Sequence, residues 1–316
     1  MAPKDYHEEA TPVRFINPFT DFGFKKIFGE EPNKDLLIDF VNQILLEQNV
    51  QIKDLTYKKT EHLGETGLDR KVVFDLYCEN EHGEKFIVEM QKDKQQYFKD
   101  RSLYYATFPI QEQGIKSTYW SYELKSVFAI AVLDFKFNKE DQNEKVITTV
   151  KLTDQESHKE FYKKLTFIYV QMPFFNKTIE ELETRLDKWL YVLKNMEKFD
   201  RIPEQIKDKI FEKVFKIAEY HQLSKADRTA YEDSLKYYRD LKNSLDTAEA
   251  EGAKKAEELL LPLLEQAKIR EEEAKMREEE AKKQVVELVK MLKSLDVPIE
   301  QIIEKTGLTK EEIEKL

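Results

Sequence analysis

Residues 72–91, VVFDLYCENEHGEKFIVEMQ, predict a β-hairpin that decides the fold and sets three polar residues in apolar surroundings. Two apolar-rich runs flank a turn-like segment centred on His82. Asp75 and Glu89 lie equally far from His82, so this turn places them directly opposite each other. Gln91 is two residues beyond Glu89 and therefore shares their face of the hairpin.

Apolar residues on both faces of this hairpin predict a central position in a sheet. One face is expected to be ordinary core and carries Phe74, Leu76, Phe86, Val88 and Met90. The carboxylate face also carries Val73 and Ile87, which indicates that it is covered rather than simply solvated. Asp75 and Glu89 would then repel each other in a partly buried pocket, where each desolvated charge needs a partner.

A divalent cation would remove this repulsion, because Mg²⁺ or Mn²⁺ takes oxygen ligands from carboxylates, water and substrate phosphate. The predicted protein ligands are Asp75, Glu89 and the backbone carbonyl of Met90. Such a site supports phosphodiester hydrolysis, with Gln91 orienting the attacking water or a phosphate oxygen. The alternative is an exposed hairpin face that happens to be acidic.

The composition predicts a folded core with a strongly charged appendage. Of the 316 residues, 41% are hydrophobic and 36% are charged. The formal net charge of −10 excludes a generally basic nucleic-acid-binding protein, so DNA contacts need a local basic surface. The single cysteine, Cys78, allows no disulfide within the chain and suits a reducing cytoplasm. The sequence has no apolar run of membrane-spanning length, so we expect no membrane association.

A charged, repetitive segment begins at about residue 246. REEEAKM (270–276) is followed directly by REEEAKK (277–283). The heptad spacing is carried by Ala267, Ala274, Ala281, Leu288 and Leu295. This pattern predicts either a coiled coil, which would form a homodimer through the C-terminal helix, or a single solvated helix held by Glu–Lys pairs.

The last residues of the chain predict two short helices around a turn. Thr309 and Glu312 form a capping box at the start of the second helix. This helix carries too many glutamates to face phosphates, so we expect it to pack or to bind protein rather than DNA.

The spacing of Asp75, Glu89 and Gln91 resembles the PD-(D/E)XK nuclease signature in its Gln-for-Lys form. Further stretches resemble the Rpn-type recombination-promoting nuclease/transposase family. They are NPFTDFGFKKIFG (17–29), RSLYYATFPIQEQG (101–114), SYELKSVFAIAVLDF (121–135) and the C-terminal GLTKEEIEKL (307–316). The resemblance covers roughly residues 14–200 and the C-terminal patch.

The resemblance implies an α/β fold with a restriction-endonuclease-like mixed central sheet flanked by helices, followed by an all-helical C-terminal extension. We expect a nuclease-like domain at residues 1–200 and a helical extension packed on the core at 201–245. A charged heptad-like helix is expected at 246–295 and a short helix-turn-helix-like hairpin at 296–316.

The resemblance also implies Mg²⁺-dependent DNA cleavage, with metal ligands at Asp75 and Glu89 and the third motif position at Gln91. Asp21 resembles an additional acidic position of the family. Two departures are visible: Val73-Phe74 precedes Asp75 where the family name implies proline, and glutamine replaces the usual lysine.

Basic residues near the motif are candidates for DNA phosphate contacts. They are Lys25, Lys26, Lys92, Lys94 and Arg101. Arg101, one helical turn before Tyr105, is the strongest single candidate because a guanidinium binds phosphate in a bidentate manner. We therefore predict a Mg²⁺-dependent DNA endonuclease linked to recombination or mobile elements. The competing hypothesis is a non-catalytic nucleic-acid-binding or regulatory scaffold with the same fold.

Overall fold

The computed structural model describes residues 14–62, 72–92, 96–114, 121–137 and 145–316. Its strands are β1 (Leu55–Tyr57), β2 (Glu61–His62), β3 (Val72–Val73), β4 (Leu76–Asn80), β5 (Lys85–Gln91), β6 (Val127–Leu133), β7 (Ile147–Thr153) and β8 (Glu160–Gln171). Its α-helices are α1 (Asp21–Phe28), α2 (Lys34–Ile44), α3 (Phe98–Gln111), α4 (Arg185–Asn195), α5 (Lys209–Ala218), α6 (Lys225–Ser294), α7 (Ile299–Thr306) and α8 (Lys310–Lys315).

A mixed six-stranded sheet forms the centre of the first part of the chain, in the order β1-β4-β5-β6-β8-β7. β5, β6 and β8 run parallel, and the remaining neighbours pair antiparallel. All seven residues of β6 are buried, as expected for a strand covered on both faces. The mixed sheet and its flanking helices confirm the predicted fold class.

The hairpin of β4 and β5 has the register that a turn at His82 predicts. Cys78 pairs with Phe86, and Leu76 pairs with Val88. Gly83 closes the turn with φ of +80°, a left-handed conformation that glycine adopts without a steric cost. The predicted register is therefore confirmed as far as Leu76 and Val88, one position short of Asp75 and Glu89.

The predicted alternation of side chains fails before Leu76. The chain bends at Asp75, and β3 pairs with β2 instead of continuing β4. Phe74 consequently lies on the face of Tyr77 and Ile87, not on the opposite face where we expected it. Val73, expected to be covered, is 45% exposed. Side chains alternate between the two faces only along a continuous strand, so the bend places Val73 and Phe74 on the faces opposite to those predicted.

Helices cover both faces of the sheet. One face packs against α1, α2, α4 and α5, where the ring of Phe40 contacts Phe28 and Trp189, and the ring of Trp189 contacts Phe211. The opposite face packs against α3. Thr20 caps α1, because its hydroxyl accepts a hydrogen bond from the Gly23 N–H. This cap fixes the start of the helix that presents Asp21.

The chain divides into two compact units, one ending at Lys242 and the other comprising Asn243–Leu316. α6 is a single helix of 70 residues, so no helix boundary marks the composition change near residue 246. Within the second unit, α7 and α8 pack on the end of α6 through Val289, Ile302 and Ile313. The predicted capping box is present, since Thr309 and Glu312 bind each other's backbone N–H. No described helix is both long and apolar enough to cross a membrane.

Candidate active site

The carboxylates of Asp75 and Glu89 each accept a hydrogen bond from a backbone N–H of the neighbouring segment. The Asp75 N–H donates to Glu89 Oε1 at 3.1 Å, and the Met90 N–H donates to Asp75 Oδ2 at 2.8 Å. The bend at Asp75 is therefore closed by the carboxylate of the neighbouring strand. This reciprocal arrangement positions both carboxylates on rigid backbone.

Burial dominates the electrostatics of this pair. Desolvation, followed by the nearby Asp75 charge, raises the pKa of Glu89 to about 8. Desolvation also raises the pKa of Asp75, and the hydrogen bond from Met90 opposes part of that rise. The Glu89 side chain is only 12% exposed. The alternative of an exposed, merely acidic face is therefore wrong.

α3 contributes a cation to the same place. Arg101 Nη1 donates to Gln91 Oε1 at 3.2 Å, and Arg101 Nη2 lies 3.6 Å from Glu89 Oε2. The guanidinium also lies 4.8 Å from the centroid of the Tyr105 ring, which supports it from one side. Arg101 thus connects Gln91 with the carboxylate pair.

α1 borders the pair with one acidic and one basic residue. The charge of Asp21 is close enough to raise the pKa of Asp75, and the charge of Lys25 lowers it. Lys25 Nζ lies 2.9 Å from Asp21 Oδ1. The structure therefore brings five predicted residues together: Asp21, Lys25, Asp75, Glu89 and Arg101, with Gln91 held by the arginine.

The other predicted basic residues have different surroundings. Lys26 binds Glu30 and Asp227 at 2.9 and 3.2 Å, so its ammonium is engaged with α6 rather than the carboxylate pair. Lys92 Nζ lies 5.7 Å from the centroid of the Tyr238 ring. Lys94 lies outside the described residues.

The donor set fits a hard divalent cation that is completed by substrate and water. No group of three His, Cys, Asp or Glu side chains that could hold a metal ion occurs among the described residues. Mg²⁺, however, commonly binds only one or two carboxylates and keeps water or phosphate oxygens as its other ligands. Burial raises the pKa values of both carboxyl groups and so favours their protonated forms, and a bound cation would favour the ionised forms instead.

The space around this site is small. A cavity of about 20 Å³ lies between α3 and the sheet, lined by Glu89, Arg101, Tyr105 and Tyr169 among others. Pockets that enclose small-molecule substrates typically measure about 300–1,000 Å³. In the described part of the chain, the cavity beside Glu89 is therefore far smaller than a pocket that encloses a small-molecule substrate.

The sequence analysis missed three residues near the carboxyl ends of β5 and β6. Tyr238 of α6 donates from its hydroxyl to Asp134 Oδ2 at 3.0 Å, and Lys242 Nζ lies 5.9 Å from the Tyr238 ring centroid. The only local signal was the polar Asp134 directly after an apolar strand. Nothing in the sequence connects that residue with a helix more than a hundred positions later.

We expect the metal-free protein to lose stability as pH rises from about 5 to 8. The folded-state pKa of Glu89, about 8, exceeds its ordinary value of 4.5, so the folded state binds more protons in this range. The stability that Glu89 contributes is thus fully present below its ordinary pKa, and it is lost as the pH rises through its pKa in the folded state. Each unit of pKa difference corresponds to about 1.4 kcal/mol.

Denaturant unfolding in EDTA at several pH values would measure this dependence. Glu89→Gln should flatten the profile, because an amide does not titrate. A parent whose stability rises between pH 5 and 8, or a variant with the parent's profile, would contradict the assignment.

Comparison with known proteins gives one match. The family model for PD-(D/E)XK nuclease family transposases matches residues 18–248, a range that includes every residue of the site described above. No curated protein and no solved structure matches the chain.

Proposed function

The chain belongs to the PD-(D/E)XK nuclease family transposases, and on that premise we propose that it is a Mg²⁺-dependent DNA endonuclease. It would hydrolyse phosphodiester bonds during recombination or the movement of a mobile element. The observation that carries the proposal is the buried Asp75–Glu89 pair, with Arg101 bridging Glu89 and Gln91.

Each residue of the site has a proposed role. Asp75, Glu89 and the Met90 carbonyl would hold Mg²⁺, with Mn²⁺ as an acceptable substitute. When bound, the metal would supply Lewis-acid polarisation of the phosphate and lower the pKa of a coordinated water. Asp21 would orient water or the metal's solvent ligands from α1.

Gln91 and Arg101 would share the work that a lysine performs in the common motif. Gln91 is 8% exposed and neutral, so it can orient a group but cannot balance phosphate charge. Arg101 supplies a permanent cation within hydrogen-bond reach of Gln91, and its fork can bind two phosphate oxygens. We propose that Arg101 supplies the positive charge that the lysine supplies in the common motif.

DNA is the proposed substrate. The net charge of −10 gives no general attraction to nucleic acid, so binding must depend on local cations. Lys25, Lys92 and Arg101 are the described candidates around the carboxylates. A reducing cytoplasm is the proposed location, since the single cysteine, Cys78, is buried as a free thiol.

A nicking assay tests the proposal directly. Supercoiled plasmid would be incubated with purified protein in Mg²⁺, Mn²⁺, Ca²⁺ or EDTA, and relaxed circles would be quantified. We expect relaxation in Mg²⁺ or Mn²⁺ and none in EDTA. DNA binding without relaxation under any metal condition would support the competing non-catalytic scaffold.

We also propose that α6 pairs two copies of the chain through its exposed middle. Five leucines there are between 55% and 72% exposed, namely Leu259, Leu260, Leu261, Leu263 and Leu264. A helix with this much exposed apolar surface is expected to bury it against a partner. The heptad spacing of the following residues favours a second copy of the same helix.

Truncation after residue 245 is expected to convert a dimer into a monomer while metal-dependent nicking persists, because every proposed site residue precedes that point. Light scattering on the full chain and the truncated chain would measure the two masses. Leu260→Glu with Leu264→Glu in the full chain should have the same effect, and Lys268→Gln with Lys275→Gln, which also lowers the net charge by two, is the matched charge control. Equal monomer masses for all proteins would instead favour the lone solvated helix.

A further inference from the structure

A row of aromatic rings leads from the carboxylate pair to the outer surface of α3. It begins at Phe74, which is buried and directly precedes Asp75. The centroid of the Phe74 ring lies 5.4 Å from that of Tyr105, the ring that supports the Arg101 guanidinium. The Tyr104 ring follows, with its centroid 6.5 Å from that of Tyr105. Tyr104 is therefore connected to the proposed site through packed rings.

Tyr104 is the most exposed ring of this row. It is 45% exposed, whereas Phe74 is buried and Tyr105 is partly buried. The Phe108 ring packs against the Tyr104 ring edge to face, with the two centroids 5.2 Å apart. A ring that is already held in this way loses little freedom when a ligand binds to its open surface.

Tyr104 and Arg101 are neighbours on the surface of α3. They are three residues apart, a spacing that brings side chains together on one side of a helix. Arg101 Nη2 lies 3.6 Å from Glu89 Oε2. Only a sugar separates the base of a nucleotide from its phosphate. A strand with one phosphate at Arg101 would therefore bring an adjacent base to the Tyr104 ring.

We propose that Tyr104 stacks on an unpaired base next to the phosphate that is cut, and that the protein acts on DNA with unpaired bases at the cutting site. Every base has a π face, so a tyrosine ring can stack on any of them without reading the sequence. A base within a duplex must first be unstacked and unpaired, and this cost is smallest for a base that is already single-stranded. The inference rests on the proposed nuclease function and names a substrate class for it.

A strand without bases separates stacking from phosphate binding. Fluorescence anisotropy would measure the Kd of labelled oligo(dT) and of an abasic strand of the same length, with Ca²⁺ replacing Mg²⁺. Tyr104→Ala should weaken the binding of oligo(dT) by about 5- to 150-fold, the usual effect of losing one stacked base. Binding of the abasic strand should not change, because both strands carry the same phosphates. The Kd of a fully paired duplex should change less than that of oligo(dT).

Further variants isolate the aromatic ring. Tyr104→Phe should bind both strands as the parent does, because stacking needs the ring and not the hydroxyl. Tyr104→Leu keeps an apolar side chain against Phe108 but has no π face, so it should match Tyr104→Ala and replaces it if the alanine variant does not fold. Phe161→Ala, which removes a ring that is 78% exposed on β8, is the control and should retain the parent's Kd for both strands.

DNA binding and plasmid nicking together distinguish the two proposals. A parent with the expected base dependence that never nicks plasmid supports the stacking role and overturns the nuclease. A parent that nicks plasmid while Tyr104→Ala and Tyr104→Leu keep its Kd for oligo(dT) overturns the stacking role alone. Equal weakening of the oligo(dT) and abasic strands would assign Tyr104 to holding Arg101 in place and would also overturn it. A duplex that is weakened as much as oligo(dT), or a parent that does not bind oligo(dT), would overturn the preference for unpaired bases.

Discussion

Asp75→Asn is expected to abolish Mg²⁺-dependent nicking, with a fall in rate of more than about 1,000-fold. The substitution keeps the size of the side chain and an oxygen that can accept the Met90 N–H. It removes one of the two carboxylate charges proposed to hold the cation. The fold should therefore survive while the metal site does not.

The same variant should lose its thermal response to metal. A ligand that binds only the folded state stabilises it by about 2.7 kcal/mol at a hundredfold excess over Kd. The parent is thus expected to melt at a higher temperature in Mg²⁺ than in EDTA. Asp75→Asn should melt at the same temperature in both. In EDTA near pH 8 it should be at least as stable as the parent, because one of two repelling buried charges is gone.

Asp246→Asn, at an exposed position on α6, is the matched control and should keep nicking and the metal response. Asp75 would have a purely structural role if the parent showed no response to metal and the Asp75→Asn protein were less stable than the parent in EDTA. Nicking by Asp75→Asn at the parent rate would contradict the proposed ligand set outright.

The central hairpin could be predicted from sequence because its determinants are local. The turn at His82 and the apolar runs around it fix the register up to Leu76 and Val88, and this brings Asp75 near Glu89. The bend at Asp75 could not be predicted in this way. It depends on β3 pairing with β2, a contact that no local pattern reveals. Phe74 and Val73 were placed on the wrong faces for that reason.

Contacts between distant segments account for the rest of the site. Arg101 was a candidate from its type and its spacing to Tyr105, but its bond to Gln91 depends on how α3 docks on the sheet. Tyr238 and Asp134 are 104 positions apart, and neither was a candidate site residue from the sequence. The composition change near residue 246 lies close to the division between the two compact units, although α6 continues through it. Helix hydrogen bonds are local, so a change from mixed to highly charged sequence needs no break.

Arg101→Met is expected to reduce nicking by about 100- to 1,000-fold, the usual cost of losing one charge-stabilising group at a reacting centre. The variant keeps an unbranched side chain against Tyr105 but removes the cation near Glu89 and Gln91. Because Arg101 is not a proposed metal ligand, the rise in melting temperature with Mg²⁺ should remain. Retained metal binding with lost cleavage would separate the arginine from the carboxylates.

Gln91→Ala should have a smaller effect than Arg101→Met, because the amide positions the arginine and contributes no charge. Lysine at position 91 offers a stricter test. If the site needs a cation and the arginine supplies it, Gln91→Lys should restore part of the activity lost in Arg101→Met. Lys163→Met, an exposed lysine on β8, is the control for a general loss of positive charge.

Full activity in Arg101→Met would exclude the arginine from the reaction. No rescue by Gln91→Lys, with metal binding intact, would indicate that the guanidinium fork acts through its geometry rather than its charge.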